Sequence, residues 1–174
     1  MTALVFVDTN VFLYALTSSE PVKQPLAAGW LERLWKEQLG RTSMQVLTEC
    51  YVNLTGKITP ALAPRTAWDY VHSLFKWNPQ PNDADVLQRA REIERRHDLN
   101  WCDSLIVAAA QAQYCPLLLS EDLADNAVYG AVTVRNPFAA RVSIVLNEDT
   151  AGSRAPRLYR ARGRPRSKKA SRSG

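Results

Sequence analysis

The chain has 174 residues, 46% of them hydrophobic, with a formal net charge of +5. That is enough for one domain with a proper core and a short appendage; it excludes a disordered chain, and no apolar run is long enough to span a bilayer. The charge is uneven: residues 151–174 hold nine of the 22 Lys and Arg and none of the 17 acids, so residues 1–150 are mildly acidic.

The first element is Leu4-Val5-Phe6-Val7, a short run of branched and aromatic residues that reads as a buried strand ending in Asp8. Thr9 and Asn10 suit a tight turn or a helix cap, and Val11–Leu16 reads as a short helix. Pro21 and Pro25 bracket a helix start, and Leu26, Ala27, Trp30, Leu31, Leu34 and Trp35 recur at helical spacing over 23–39. Trp30 and Trp35 at that spacing point to packing rather than to base stacking. Gly40 stops the helix, and Arg41-Thr42 reads as a very short strand.

Ser43 is placed to cap a helix over 44–56, with Glu49 beside its apolar stripe. Residues 57–63 read as a loop, and Pro64 opens a helix to about Phe75. After the Asn78-Pro79-Gln80-Pro81 punctuation, Asn82 or Asp83 caps an Arg-rich helix over 84–97. Asn100-Trp101-Cys102-Asp103-Ser104 opens the most apolar helix, which runs to Gln113 with Asp103 in its first turn. Pro116–Ser120 reads as a second buried strand that empties into Glu121-Asp122-Leu123-Ala124-Asp125-Asn126. Tyr129–Val134 reads as a turn and a final core strand. Residues 141–146 read as an edge strand or a partner-binding segment, and from Gly152 the chain is too polar to fold alone.

The three cysteines, Cys50, Cys102 and Cys115, are odd in number and irregularly spaced, and read as reduced core thiols. No charged leader precedes the first apolar patch, so the expected location is the cytoplasm. With only His72 and His97 available, a histidine-rich metal site is not expected.

Short apolar strands alternating with amphipathic helices give an α/β class with a largely parallel sheet. Such a sheet gathers the ends of its strands at one edge, where open α/β folds place their sites. Taken singly, Asp8 reads as a helix cap, Asp103 as a first-turn acid and Glu49 as a flank residue facing water. Taken together with Asp122, they form a group of carboxylates that must take up protons or bind a cation if the fold brings them to one edge. Hard divalent ions prefer such oxygen ligands, and the chemistry they support includes phosphodiester cleavage.

Five segments then occur in order across residues 4–138: Val7-Asp8-Thr9-Asn10, Ser43-Met44-Gln45-Val46-Leu47-Thr48-Glu49, Trp101-Cys102-Asp103-Ser104-Leu105-Ile106, Leu119-Ser120-Glu121-Asp122-Leu123 and Val134-Arg135-Asn136-Pro137-Phe138. In this the chain resembles the PIN-domain nucleases, and most closely the VapC toxins of bacterial VapBC toxin–antitoxin modules. The resemblance implies a PIN-like three-layer α/β/α sandwich over residues 1–140. It makes Asp8, Glu49, Asp103 and Asp122 an acidic quartet around Mg²⁺ or Mn²⁺, with Asp8 and Asp103 the most direct ligands. Asn10 and Ser120 become polar supports. Asp125 is the candidate for a further acid found in some relatives, one residue beyond its usual place. The resemblance also implies a metal-dependent endoribonuclease that hydrolyses RNA, forms a homodimer and is inhibited by an antitoxin laid across the active site.

The tail over 151–174 exceeds that pattern and reads either as a disordered extension or as a nonspecific RNA tether. Two other functional readings stand beside the nuclease. One is an Asp-nucleophile phosphotransferase with Asp8 attacking, although Asn10 occupies the place where its second acid belongs. The other is a noncatalytic RNA- or protein-binding module on a PIN scaffold.

Overall fold

The computed structural model of the chain describes residues 3–139. The stretches 141–150 and 151–174, whose roles were left open above, lie outside the described residues.

Five strands form one sheet in the order β2-β1-β3-β5-β4. The strands are β1 (Val5–Val7), β2 (Gly40–Arg41), β3 (Leu117–Leu119), β4 (Val128–Tyr129) and β5 (Val132–Arg135). β1 runs parallel to β2 and β3, and β3 runs parallel to β5, while β4 is antiparallel to β5. Val5, Phe6 and Val7 are all completely buried. Successive side chains of a strand point to opposite faces, so this requires cover on both sides of the sheet. The helices supply it, as the α/β/α expectation demands.

The helices begin where the sequence offers caps. α1 (Thr9–Leu16) starts two residues earlier than Val11 because the Asp8 side chain accepts from Thr9 N at 2.7 Å. α2 (Lys23–Glu37) ends at Gln38, whose φ of 58° turns the chain toward β2. Ser43 caps α3 (Met44–Gly56) by accepting from Val46 N. Pro64 opens α4 (Pro64–Ser73), which tightens into a 3₁₀ turn over Leu74–Trp77. Asp83 caps α5 (Ala84–His97) and Asn100 caps α6 (Trp101–Ala112).

The 3₁₀ turn buries Trp77 against Phe12 and Trp35, with ring centroids 5.5 and 5.9 Å apart. Trp35 therefore packs, as its spacing indicated. Trp77 also explains why β2 begins with glycine: a Cβ on Gly40 would stand 2.5 Å from the indole ring. β2 sits one residue earlier than Arg41-Thr42. β4 was not foreseen as a strand. It forms a hairpin with β5 in which Tyr129 faces Val132 across a two-residue turn, and Gly130 supplies the positive φ of 63°. Cys50 and Cys115 are buried free thiols as read, but Cys102 is exposed, because the first turn of α6 projects from the core before the helix descends into it.

Candidate active site

The parallel strands β1 and β3 end side by side. Val7 pairs with Leu119 in register, and Asp8 N donates to Leu119 O at 3.0 Å. The next residue of each strand, Asp8 and Ser120, therefore leaves the sheet at the same edge. Their side chains meet there: Ser120 Oγ donates to Asp8 Oδ2 at 2.8 Å. The other oxygen of Asp8 caps α1. Both oxygens of this buried carboxylate are thus held by donors from two separate elements.

Three further acids come to the same edge. α3 turns Glu49 inward, where Thr9 Oγ1 donates to Glu49 Oε2 at 2.7 Å and Gln45 Nε2 to Oε1 at 2.9 Å. Of the two orientations open in the sequence, Glu49 takes the one directed into the cleft. The loop after β3 carries Asp122, whose Oδ2 accepts from Asn10 Nδ2 at 2.7 Å. Ser120 Oγ accepts from Asp122 N and Leu123 N, which fixes the turn of that loop. α6 brings Asp103 in its first turn; Asn100 Nδ2 donates to Asp103 Oδ2 at 2.6 Å, and Asn100 Oδ1 accepts from Asp103 N. The quartet and its supports Asn10 and Ser120 occupy one edge.

The charges of Glu49 and Asp122 act on both Asp8 and Asp103. Burial pushes the Asp8 carboxyl up to about 6; the hydrogen bonds from Ser120 and Thr9 N oppose this, and the charges of Asp122 and Glu49 add to it. Burial also raises Asp103, against the pull of Asn100, and the charges of Asp122 and Glu49 raise it further. Among the described residues the ion pairs are Lys23–Glu121, Arg33–Glu37 and Arg91–Glu94, and none involves a member of the quartet. Every partner of these carboxylates is a neutral hydroxyl, amide or backbone N–H.

That donor set fits a hard divalent cation, which takes oxygen ligands and neutralises the mutual repulsion. Among the described residues, no group of three or more His, Cys, Asp or Glu side chains is arranged to enclose an ion as it stands. Mg²⁺ uses one or two carboxylates and completes its shell with water and phosphate oxygens, so it does not require such a cage.

Asp125 stands apart from this arrangement. Its Oδ1 accepts from Asn136 N and its Oδ2 from Asn126 Nδ2, each at 2.9 Å, so it ties the loop before β4 to the end of β5. Glu121, adjacent to Asp122, pairs with Lys23 at 2.5 Å; Lys23 also reaches Tyr14 Oη and lies over the Tyr14 ring. The orienting roles of Thr9, Gln45 and Asn100 were not read from the sequence. Two left a local signal: Gln45 and Glu49 are four apart on one helix, and Asn100-x-x-Asp103 has capping-box spacing. Thr9 left none, because its partner lies 40 residues away.

The comparisons bear on the fold and the family. Several solved structures are similar to this chain, three of which follow. A toxin–antitoxin complex from Klebsiella pneumoniae matches with a TM-score of 0.59 and 20% identity, over 76% of this chain and 97% of that one. VapC20 of Mycobacterium tuberculosis, a toxin that cleaves the sarcin–ricin loop, matches with a TM-score of 0.54 and 20% identity, over 68% and 91%. VapBC2 of Rickettsia felis, bound to a promoter DNA fragment, matches with a TM-score of 0.54 and 17% identity, over 76% and 98%. No curated protein matches. The sequence matches the PIN domain over residues 5–129, a span that takes in β1 with Asp8, α3, α6 and the β3 loop with Asp122. With most of its length inside that match and all four acids at one sheet edge, the chain belongs to the PIN domain family.

Proposed function

We propose that this chain is a divalent-metal-dependent endoribonuclease of the VapC toxin type, hydrolysing RNA in the cytoplasm and held in check by an antitoxin. The observation that carries the reading is the convergence of Asp8, Glu49, Asp103 and Asp122 at one edge, where their partners among the described residues are all neutral. The neighbouring structures support the toxin–antitoxin setting: two are complexes with an antitoxin, and one is a toxin that cuts an RNA loop. A homodimer, and Mg²⁺ or Mn²⁺ as the ion, belong to the same proposal.

In it, Asp8 and Asp103 hold the cation directly and Glu49 and Asp122 complete its surroundings. A divalent ion held by these residues would supply Lewis-acid chemistry for phosphodiester hydrolysis. The chain's own residues position the acids. Thr9 N and Ser120 lock Asp8, Thr9 Oγ1 and Gln45 aim Glu49, Asn100 aims Asp103, and Asn10 aims Asp122. No side chain in the cluster is set up as a covalent nucleophile. The Ser120 hydroxyl is committed to Asp8, and burial pushes the Cys50 thiol far above its ordinary range. The Asp-nucleophile reading is weakened because Asn10 stands where its second acid belongs and is spent on Asp122.

The test compares wild type with Asp8→Asn. RNA ends are sequenced after induction of each, and cleavage of total RNA is followed in vitro with Mg²⁺ or Mn²⁺ and with chelator. Wild type cuts at defined positions only with the metal, and the folded variant does not cut. A folded Asp8→Asn protein that cuts at the parent rate overturns the site. A wild type that binds RNA yet leaves it intact with both metals supports the noncatalytic module instead.

A further inference from the structure

A cavity of about 480 Å³ lies between α5 and the β4–β5 hairpin, away from the four acids. Arg89, Ile93, Arg96 and His97 line it from α5, with Gln111 from α6 and Tyr114 just beyond that helix. Positions 89, 93 and 96 fall on one helix face, and Arg89 to His97 spans ~12 Å along the axis. Pro116 and Val132, at the starts of β3 and β5, contribute to the apolar lining. The result is a groove with a cationic stripe, an apolar floor and an aromatic at its mouth.

Three details separate it from a merely solvated helix face. Arg89 and Arg96 make no ion pair among the described residues, whereas Arg91, outside the groove, pairs with Glu94. Arg89 Nη1 instead reaches Gln111 Oε1 at 3.5 Å, which turns it toward the cavity. Tyr114 is 88% exposed and is held at a φ of 55°, so its ring stands at the mouth instead of joining the core. Glu92 is the acid in the lining, set against two guanidiniums and one imidazole.

The groove also has a direction. His97 packs edge-on against Tyr129, with ring centroids 5.0 Å apart. Burial raises the Tyr129 phenol, and the Asp103 carboxylate adds to that rise. His97 also ends α5 three residues before Asn100, the α6 cap that holds Asp103, so the His97 end is nearer the acidic edge and Arg89 and Tyr114 mark the far end. A cationic track with an aromatic platform is the chemistry that takes single-stranded nucleic acid: guanidiniums meet phosphates and rings stack on bases.

We infer that this groove binds a single RNA strand, with Arg89 and Arg96 on its phosphates and Tyr114 stacked on a base, guiding the flanking part of the substrate away from the acids. The inference rests on the nuclease reading for the identity of the strand, and its test is separable from that reading. Binding of a fluorescein-labelled 20-nucleotide single-stranded RNA to the full chain is measured by anisotropy with chelator present, over a range of salt. The variants are Arg89→Gln/Arg96→Gln and Tyr114→Ala, all at exposed positions. The double variant is expected to bind about tenfold more weakly at low salt. Its slope of log affinity against log salt should be shallower by roughly 1.4, as befits two lost contacts to a single strand. Tyr114→Ala is expected to weaken binding while leaving the slope unchanged. Unchanged affinity and slope in the double variant overturns the groove, even if wild type cleaves RNA. Loss of binding in the double variant upholds it, even if wild type cleaves nothing. Poly-glutamate that displaces the RNA from wild type, and that the double variant no longer binds, assigns the groove to an acidic polypeptide and also overturns the proposal.

Discussion

Replacing Asp8 by Asn should make the metal-free protein more stable while removing its activity. The Asp8 carboxyl is nearly inaccessible, and burial lifts it from 3.8 to about 6. A shift of that size is worth about 3 kcal/mol between the two protonation states. Because the folded-state value lies above the unfolded one, the folded chain holds this proton more tightly. Below about pH 4 both states are protonated and Asp8 costs nothing; as pH rises through about 6 the folded chain must carry a buried charge, and by about pH 8 the full cost is felt. Asparagine has the same shape and accepts from Thr9 N as an N-cap, but it sets an amide N–H against a Ser120 Oγ that already accepts from Asp122 N and Leu123 N, so it removes the charge together with that one hydrogen bond. Urea denaturation of both proteins, in chelator from pH 4 to pH 8, measures the difference. Relative to wild type, the variant should rise by about 3 kcal/mol from the acid to the alkaline end, on the order of 10 °C in melting temperature, offset at every pH by about 1 kcal/mol for the lost Ser120 hydrogen bond. A gain that is absent at pH 8, or equal at both ends, refutes the claim that buried charge at Asp8 is the cause.

Divalent ion should reverse that penalty. At a hundredfold excess over its dissociation constant, Mg²⁺ or Mn²⁺ should stabilise wild type by about 2.7 kcal/mol, and a melt of Asp8→Asn or Asp103→Asn should show little of this. Ser120→Ala removes a hydrogen bond that lowers Asp8, so the acid limb of the cleavage pH profile should move to higher pH. It also strips the acceptor from Asp122 N and Leu123 N, at a stability cost of about 1–3 kcal/mol; a profile that stays in place argues that Ser120 only fixes the loop. Gly40→Ala forces a methyl against the buried Trp77 ring and should cost about 1–3 kcal/mol in chemical denaturation; unchanged stability would mean that the indole shifts freely.

The sequence was most legible where one residue announces its own position. Asp8 and Asp122 follow runs of buried aliphatics, and a parallel strand can only deliver them to its carboxyl edge. Asp103 sits in the first turn of a helix whose start is marked by Asn100. Glu49 was harder, because its spacing on α3 allows either water or cleft, and the choice is made by Thr9 from another element. The same limit hid Trp77: its position beside Asn78-Pro79 suggests a loop, yet Gly40 and Phe12, distant in sequence, make the space that buries it. β4 is two residues long and, among the described residues, pairs with β5 alone, so no periodicity could reveal it. The exposure of Cys102 was misread because the apolar character of α6 begins only after its first turn.

The polar partners of the quartet explain why stability and charge oppose each other here. Four carboxylates at one edge could have been quieted by a lysine or arginine, which would lower their pKa values and restore the stability that burial removes from Asp8. A suitable cation is close by, since Lys23 reaches the β3 loop. It pairs with Glu121, the acid that takes no part in the cluster, and leaves Asp122 to the neutral Asn10. Neutral donors fix the direction of a carboxylate without cancelling its charge, whereas a paired cation would do both. The described part of the chain therefore keeps its acids oriented without an ion-pair partner, and the proposed function has a divalent cation relieve the resulting repulsion.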